Sequence, residues 1–429
     1  MQLNSAGLHG SLDDPVLQSI GFLNEVMSRY PDAVSFGPGA PHPVFFEGLE
    51  PQRYTDRFLE HLVAEGHDPA RARKLLFEYG PSQGLINGIV AEALRRDHGI
   101  DAAPRDVVIT VGAQEGMLIA LRALFRSPDD VLAVANPCFV GIMGAARLLD
   151  IPVTGVDEGD RGIDLDGLRR ACREARSAGR RIRACYVAPD FSNPGGGRMS
   201  PQCRRALLAL AEQEDFLLLE DNAYGFTAPG GSGLAPLKAL DTGRRVVHIG
   251  TFAKICFPGA RVGYVVADQR VGSADGEERS LAEQLAAVKS MVTVNTSPLC
   301  QAVIGGMLLE HGRSLAELGR RKSEHYRRSL NTLLDALDRH LGGDRPAGVD
   351  WNRPEGGFFV RMRLPVPADL ALLKTSAERY GVLWTPMSQF YLDGAGDFRL
   401  RLACSYLDDG QIETGVERLA AFLRQELGT

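Results

Sequence analysis

Short apolar runs alternate with helix-like patterns through the central part of this chain. The runs have the length of strands, and the segments between them repeat apolar residues at the helical spacing. The predicted strands are VVIT (107–110), VLAVANP (131–137), RIRACYVAP (181–189), FLLLEDNAY (216–224), RVVHIG (245–250) and ARVGYVVAD (260–268). Such alternation is typical of an α/β fold with a mainly parallel sheet that helices cover on both faces. Because these sheets bind ligands beyond the carboxyl ends of their strands, we expect the functional residues there.

Helix signals divide the chain into an arm, a large domain and a smaller domain. Ser200 and Pro201 are typical first residues of a helix, and Leu17 to Met27 has a short helical pattern. Helical patterns between about 280 and 340 are expected to bridge two domains, after a polar surface turn at 271–280. The predicted division is 1–65 for the N-terminal arm and part of the small domain, 66–315 for the large domain, and 316–429 for the small α+β domain.

Charge and cysteine content exclude several classes of function. The net charge is −6, so bulk electrostatics favour neither a nucleic acid nor a membrane surface as a partner. The seven cysteines are scattered and form no CxxC pair, which disfavours disulfides or zinc and favours a cytoplasmic protein. The N-terminus lacks the features of a signal peptide, and no apolar run approaches the roughly 18 residues of a membrane span.

Lys254 is the strongest candidate for chemistry, within the segment TFAKICFPGARVGY (251–264). Only six of the 48 basic residues are lysines, so few others compete for a catalytic role. A lone lysine is usually a surface residue, but this one stands in an apolar context directly after a predicted strand. Burial lowers the pKa of an amine and makes it a nucleophile towards aldehydes. Thr251 and Arg261 could both bind an anion, Arg261 through its planar guanidinium.

Two other polar segments also follow predicted strands. Asp221 ends an apolar run, where a carboxylate is costly unless it is paired. A helix N-cap or a core ion pair explains this aspartate about as well as a contact with a cationic ring nitrogen does. Tyr224 could face the same place. Asn193 begins a turn rich in Pro and Gly, which is either a plain loop or a loop that holds the amide against a phenolic oxygen.

A glycine turn and two arginines are candidates for anion binding. Gly112 joins a predicted strand to a helix, and free N–H groups at such a helix start bind phosphate, although many turns carry glycine for other reasons. The chain has neither a GxGxxG motif nor a Walker P-loop, which disfavours nucleotide binding. Arg399 and Arg401 lie on the same side of a predicted strand, where one could be solvated and the other bind a carboxylate with two nitrogens.

Taken in order, these segments resemble the fold-type I pyridoxal-5′-phosphate (PLP) enzymes, specifically the class I/II aminotransferases. The pattern is most similar to the aminoadipate/kynurenine aminotransferases and to the aminotransferase-like domain of MocR regulators, from about residue 33 to 420. Each motif alone is weak, whereas nine in order are specific. The motifs are SFGPGAPHP (35–43), YGPSQG (79–84), GAQEGM (112–117), NPCF (136–139), PDFSNPGG (189–196), EDNAYG (220–225), TFAKICFPGARVGY (251–264), PEGGFFV (354–360) and RLACSY (401–406).

The resemblance implies the PLP transferase fold with a seven-stranded central sheet, and a reaction between an L-α-amino acid and a 2-oxo acid. It implies that Lys254 forms an aldimine with PLP and that pyridoxamine phosphate carries the amino group. A homodimer with shared active sites is also implied, with Tyr79 reaching the phosphate of the neighbouring subunit. The other implied contacts are Asp221 with the pyridine nitrogen, Asn193 and Tyr224 with the phenolic oxygen, Phe139 with the ring face, Ala113, Gln114, Thr251 and Arg261 with the phosphate, and Arg401, Asn193 and Gly39 with the substrate carboxylate.

The chain departs from the family's pattern at three positions. Gly195 stands where relatives have Thr after Asn-Pro, which alters the turn. Ala113 replaces a Ser or Thr and removes one phosphate contact, and Met387 replaces a Gly near the substrate loop, which bears on substrate range. Asp190 is either a structural turn residue, the commoner case, or a contact for a cationic side chain such as a guanidino group.

Three classes of function are open to this pattern. The first is an aminotransferase, with specialised metabolism as its expected setting. A PLP lyase, or a cyclase resembling capreomycidine synthase, uses the same fold and lysine, and the sequence hardly separates it from the first. A MocR-type regulator would carry a DNA-binding domain, but only about 30 residues, not basic in character, precede the first motif. We therefore predict an aminotransferase, with the lyase or cyclase as the alternative.

Overall fold

The computed structural model describes residues 3–4, 7–14, 17, 29–230, 233–272 and 278–427. The expected helix at 17–27 lies almost entirely outside these residues, as does the middle of the polar run 271–280. The helices are α1 (Pro51–Ala64), α2 (Pro69–Lys74), α3 (Asn87–His98), α4 (Gly112–Leu124), α5 (Val140–Leu148), α6 (Leu165–Ser177), α7 (Pro201–Glu214), α8 (Leu237–Leu240), α9 (Leu281–Val292), α10 (Pro298–Glu310), α11 (Leu315–Leu341), α12 (Leu370–Tyr380) and α13 (Asp409–Leu427). None of these helices is long and apolar enough to cross a lipid bilayer.

The strands include all six predicted apolar runs, to within a few residues at each end, together with others that were not predicted. They are β1 (Val34–Ser35), β2 (Val107–Thr110), β3 (Asp130–Asn136), β4 (Val153–Gly159), β5 (Gly162–Ile163), β6 (Arg181–Val187), β7 (Leu217–Asn222), β8 (Val246–Thr251), β9 (Gly263–Val266), β10 (Arg270–Gly272), β11 (Glu278–Ser280), β12 (Asp350–Trp351), β13 (Phe359–Arg363), β14 (Val382–Leu383), β15 (Thr385–Pro386) and β16 (Arg399–Ala403).

The central sheet has the strand order β2-β9-β8-β7-β6-β3-β4-β5. Strand β9 pairs antiparallel with both neighbours, and the two-residue edge strand β5 folds back on β4. The remaining strands run parallel, which confirms the prediction of a mainly parallel sheet. Leu132 and Val134 of β3 pack with α4 and α5 on one face, while Val131 and Ala133 pack with α6 and α7 on the other. Burial on both faces explains why these strands read as unbroken apolar runs.

A second sheet, with the order β12-β13-β16-β15, has its own apolar core together with α12, α13 and the second half of α11. Strand β1 from the N-terminal segment pairs parallel with β14, and Phe36 is fully buried in this core. Helix α1 packs instead against α10, where Phe58 joins the apolar cluster beside β2 and β9. Residues 34–36 thus pack with the small core and 51–64 with the large one. The predicted boundaries near 65 and 315 stay predictions.

Helix α11, with 27 residues, links the two cores as expected. Leu315 and Leu318 at its start pack into the large-domain cluster, and Leu330 to Leu341 pack into the small core. The rest of the predicted helical stretch is divided into α9 and α10, because Ser297 and Pro298 begin a new helix. Ser200 caps α7 by accepting a hydrogen bond from the Cys203 amide, as its sequence predicted.

Candidate active site

A pocket of about 470 Å³ lies at the carboxyl ends of β2, β3, β6, β7 and β8, where the N-terminal segment and the small domain meet the central sheet. All the predicted site residues except Tyr79 line it: Gly39, Ala113, Gln114, Phe139, Asn193, Asp221, Tyr224, Thr251, Lys254, Arg261 and Arg401. These residues come from segments spread over most of the chain. The topology therefore brings them together, since the carboxyl ends of parallel strands share one edge of the sheet.

Lys254 lies in the turn that follows β8, and its side chain is buried in the pocket. Its Nζ donates a hydrogen bond to the Gly39 carbonyl at 2.6 Å and lies 5.8 Å from the centre of the Tyr224 ring. Burial above all, together with the nearby charges of Arg401 and Arg261, lowers the pKa of Lys254 to about 8, while Asp221 opposes them. A measurable fraction of this amine is thus unprotonated at neutral pH, as a nucleophile or base requires.

Asp221 lies near the end of β7 with its side chain buried. Its Oδ2 accepts a hydrogen bond from the Tyr186 hydroxyl at 2.7 Å, while its buried Oδ1 has no hydrogen-bond partner. Burial raises the pKa of Asp221 to about 6, against the opposing effect of the Tyr186 hydrogen bond. Within the described residues it caps no helix and forms no ion pair, so neither structural alternative accounts for it. A buried carboxylate oxygen without a partner suits a cationic N–H donor.

Arg401 extends from β16 into the pocket and is only 4% exposed. Its Nη1 donates to the Asn193 Oδ1 at 2.6 Å, and its Nη2 donates to the Gly37 carbonyl at 2.8 Å. Its Nε is buried without a partner, and no carboxylate of the described residues pairs with it. Burial lowers the pKa of Arg401 to about 10, so it stays protonated at neutral pH. A buried guanidinium without a counterion is suited to bind an anionic group.

Arg399 lies two residues earlier on the same strand and has a different environment. Its guanidinium donates to the Tyr391 hydroxyl and lies 5.3 Å from that ring's centre. It does not line the pocket. Of the two arginines that the sequence left open, Arg401 is therefore the one placed to bind a ligand.

The start of α4 and the Arg261 side chain together form a site suited to an anion. Gly112 has a left-handed φ of +73°, and a Cβ at this position would collide with the Arg261 guanidinium. Glycine therefore permits the close approach of Arg261 to the first turn of α4, where backbone N–H groups and the helix dipole favour negative charge. Gln114 donates to the Gly141 carbonyl at 2.8 Å, and the Thr251 Oγ1 accepts from the Ala253 amide at 3.1 Å.

Phe139 and Tyr224, which were predicted to contact the cofactor's ring face and phenolic oxygen, also line the pocket. Phe139 lines the pocket immediately before α5, on the carboxyl side of β3. Tyr224 packs edge-on against Phe358 and Phe359, with ring centres 5.0 Å and 5.5 Å away. Burial raises the pKa of Tyr224, so its hydroxyl keeps its proton at neutral pH.

Three residues singled out in the sequence lie elsewhere. Asp190 is buried against Arg204 at 2.7 Å and Arg198 at 3.2 Å, so its reading as a structural residue is confirmed and a substrate contact is wrong. The Met387 side chain is fully buried in the core beside α4 and α5 and does not line the pocket. Tyr79 is 88% exposed on the surface.

Other pocket residues were not predicted. Tyr186, Gln389 and Phe390 line the pocket, and the Arg401 guanidinium lies 5.2 Å from the Phe390 ring centre. A hydroxyl near the carboxyl end of the apolar run 181–187 was an available signal for Tyr186. No comparable signal marked Phe390, whose position depends on how the two domains pack.

Comparisons with known proteins agree with this geometry. Residues 51–419 match the family model "Aminotransferase class I and II". The chain is 45% identical to (S)-3,5-dihydroxyphenylglycine transaminase of Amycolatopsis orientalis, over 99% of this chain and 96% of the relative. The solved multiple substrate aminotransferase of Thermococcus profundus superposes with a TM-score of 0.80, at 27% identity and 95% coverage of both chains.

A second solved structure bears directly on the cofactor. It is the α-aminoadipate aminotransferase of Thermus thermophilus, complexed with N-(5′-phosphopyridoxyl)-L-leucine. Its TM-score is 0.78 at 26% identity, covering 96% of this chain and 95% of that one. Three groups of the pocket fit this cofactor. The unpartnered Oδ1 of Asp221 fits the ring nitrogen, the anion site formed by Gly112 and Arg261 fits the phosphate, and the buried amine of Lys254 fits the aldehyde.

Proposed function

This chain belongs to the class I and II aminotransferases, and from that premise we propose how its own residues perform the reaction. The protein is a pyridoxal-5′-phosphate-dependent aminotransferase that acts on an amino acid and a 2-oxo acid. When bound, the cofactor supplies the electron sink that stabilises negative charge at the substrate α-carbon. The lyase or cyclase alternative is not favoured, since the relatives and solved neighbours compared above are aminotransferases.

We propose that Lys254 holds the cofactor's aldehyde carbon and that Asp221 accepts a hydrogen bond from its ring nitrogen through Oδ1. The start of α4 and Arg261 would bind the phosphate, and Asn193 and Tyr224 the phenolic oxygen. The observation that carries this assignment is the pair of buried, oppositely charged groups in one pocket: an amine whose pKa is lowered to about 8 and a carboxylate with one unpartnered oxygen.

Arg401 would bind the substrate α-carboxylate, because its charge has no counterion in the pocket. Its contacts with Asn193 and Gly37 hold the guanidinium in place before substrate arrives. Fixing the carboxylate fixes the α-carbon near Lys254. The Lys254 amine, freed when the substrate's amino group replaces it at the aldehyde carbon, would then take the α-proton. Placement matters here, since an error of about 1 Å can cost about 100-fold in rate.

The lining favours a substrate with a neutral, aromatic side chain. Among the described residues, the cations of the pocket are Lys254, Arg261 and Arg401, and each already has an assigned partner. A second substrate carboxylate would therefore lack a counterion, while Phe139, Phe390 and the proline-rich segment 38–41 offer apolar surface. We propose an arylglycine-type amino donor, a class that includes the compound in the name of the Amycolatopsis relative.

A half-reaction with one amino donor at a time tests this proposal. Phenylglycine and its ring-hydroxylated forms are expected to convert the bound cofactor to its pyridoxamine form, which is read by absorbance without any 2-oxo acid. α-Aminoadipate and glutamate are the matched comparison, because they differ by a second carboxylate. Faster conversion by these two than by the arylglycines would overturn the substrate proposal, and release of ammonia without the pyridoxamine form would overturn transamination.

We also propose a homodimer that shares its sites, in the cytoplasm. Phe77, Tyr79 and Met291 are large side chains with 67%, 88% and 85% of their surface exposed. Their two chain segments adjoin, because a Cβ at Gly80 would lie 3.8 Å from the Asn295 Nδ2. A second copy would cover this surface and receive Tyr79, and Met291→Asp is expected to give monomers by sedimentation.

The seven cysteines are free thiols, which agrees with a reducing compartment.

A further inference from the structure

We propose that Tyr186 is a positioning residue for the cofactor: its hydroxyl occupies one oxygen of Asp221 and so directs the other oxygen to the ring nitrogen. This inference rests on the proposed cofactor role of Asp221. Tyr186 was not among the site residues predicted from the sequence. The same contact would also keep the Asp221 carboxylate ionised.

The sheet register places the two residues together. Tyr186 lies near the end of β6, and its Cα pairs with Leu219 of the adjacent strand β7, two residues before Asp221. The long phenol ring spans this offset, and its hydroxyl reaches Oδ2 at 2.7 Å. The ring is only 2% exposed and packs in the apolar core beside α4 and α5, which fixes the direction of its O–H.

The two carboxylate oxygens thereby acquire different environments. Tyr186 is the one hydrogen-bond donor that Asp221 has among the described residues, and Oδ1 is left buried without a partner. A carboxylate held at one oxygen by a rigid donor cannot rotate freely. The free oxygen is therefore already oriented when a ring N–H arrives, and little reorganisation is needed on binding.

The hydroxyl also stabilises the negative charge of Asp221. Hydrogen bonding to a carboxylate favours its ionised form, as do the nearby Lys254 and His248, whereas burial and the neighbouring Glu220 oppose ionisation. Burial raises the pKa of Tyr186, so the phenol remains a donor across the working pH range. Without this donor, a protonated Asp221 would become more stable and could no longer balance a protonated ring nitrogen.

The test is Tyr186→Phe, which removes the hydroxyl and keeps the ring. Wild type and variant are loaded with ¹⁵N-labelled PLP, and the ring-nitrogen chemical shift and the cofactor Kd are measured. We expect the shift to move towards the unprotonated pyridine and the Kd to rise roughly tenfold or more, the usual worth of a hydrogen bond to a charged group. Tyr264→Phe, which removes another buried phenol hydroxyl outside the pocket, is the matched control and should leave the chemical shift unchanged.

A double-mutant cycle with Asp221→Asn separates positioning from packing. If Tyr186 acts through Asp221, adding Tyr186→Phe to Asp221→Asn should change the Kd little further. Additive losses, or an unchanged ¹⁵N shift in a Tyr186→Phe protein that melts like wild type without cofactor, would overturn the inference. Failure of the wild-type protein to bind PLP would instead overturn the proposed function, so the two failures are distinguishable.

Discussion

The two ends of the pocket are built in different ways. At the cofactor end, Asp221 lies near the end of β7 and Lys254 follows the adjacent parallel strand β8, with Tyr186 on β6, the other neighbour of β7. At the carboxylate end, Arg401 of the small domain meets Asn193 of the large domain and the backbone of Gly37. One sheet therefore determines the first arrangement, whereas the second depends on how two domains and the N-terminal segment meet.

The difference suggests a division of tasks. A rigid sheet edge suits a cofactor that stays bound through many turnovers, and a site between domains suits a substrate that must enter and leave. Lys254 lies between the two ends, because Arg401 lowers its pKa while Asp221 raises it. Mutations at either end should therefore separate cofactor binding from substrate binding, with Lys254 affecting both.

The largest effect is expected for Lys254→Ala, which removes the residue common to both ends. Turnover should fall by at least about 10⁴-fold, since both the attachment of the cofactor and a base worth 10² to 10⁴ are lost. The absorbance of the covalently held cofactor should vanish as well. The comparison control is Lys238→Met, which removes another buried lysine that pairs with Asp268 and does not line the pocket, and it should retain the absorbance. Normal turnover in the Lys254 variant would remove this lysine from the mechanism.

Asp221→Ala tests the cofactor end alone. Loss of a buried charge partner costs about 3 to 5 kcal/mol, so the Kd of PLP should rise several hundredfold while the KM for amino donor changes little. Equilibrium dialysis with PLP, followed by kinetics at saturating cofactor, measures the two quantities separately. An unchanged cofactor Kd would show that the ring nitrogen is not held by this carboxylate.

Arg401→Ala tests the carboxylate end, with Arg399→Ala as the matched control on the same strand. The KM for amino acid and for 2-oxo acid should each rise about 100-fold, the usual cost of breaking a buried charged contact, while PLP stays bound. Arg399 bonds Tyr391 outside the pocket, so its loss should change neither KM by more than a few fold. Equal effects in both variants would contradict the assignment.

The smallest effect is expected in the pH dependence of the reaction of Lys254 with PLP. This dependence reports how Arg401, at the carboxylate end, changes the pKa of Lys254. With a pKa of about 8, roughly a tenth of Lys254 is unprotonated at pH 7, so its rate of reaction with PLP should rise about tenfold and level off above pH 9. Arg401→Ala removes a charge that lowers this pKa, and the midpoint should therefore move to higher pH. A midpoint above pH 10 in the wild type would contradict the buried environment of Lys254.

The sequence predicted the cofactor end better than the carboxylate end. The order of apolar runs placed Asp221 and Lys254 at one edge of a parallel sheet, because strand position follows from local pattern and topology. Asp190 shows the limit of local pattern: the sequence left it as either a structural turn residue, the commoner case, or a substrate contact, and the structure pairs it with the buried Arg204 of α7. Nothing near Asp190 in the sequence indicated that partner.

The packing of the domains against each other was the other feature that local sequence patterns could not predict. Phe390 and Gln389 reach the pocket from a small-domain loop, and Met387 in the same loop turns into the core. Adjacent residues of one irregular loop point in different directions, and no periodicity distinguishes them. The N-terminal segment is a similar case: it was expected to be an arm and partly small domain, but the pairing of β1 with β14 could not be foreseen.

That pairing has a consequence for how the protein is made. Val34 and Ser35 are synthesised long before their partners Val382 and Leu383. At roughly 5 to 20 residues per second, the first strand waits about twenty to seventy seconds for its partner. The large sheet can assemble during this interval, whereas the small domain can close only after Val382 and Leu383 have been synthesised.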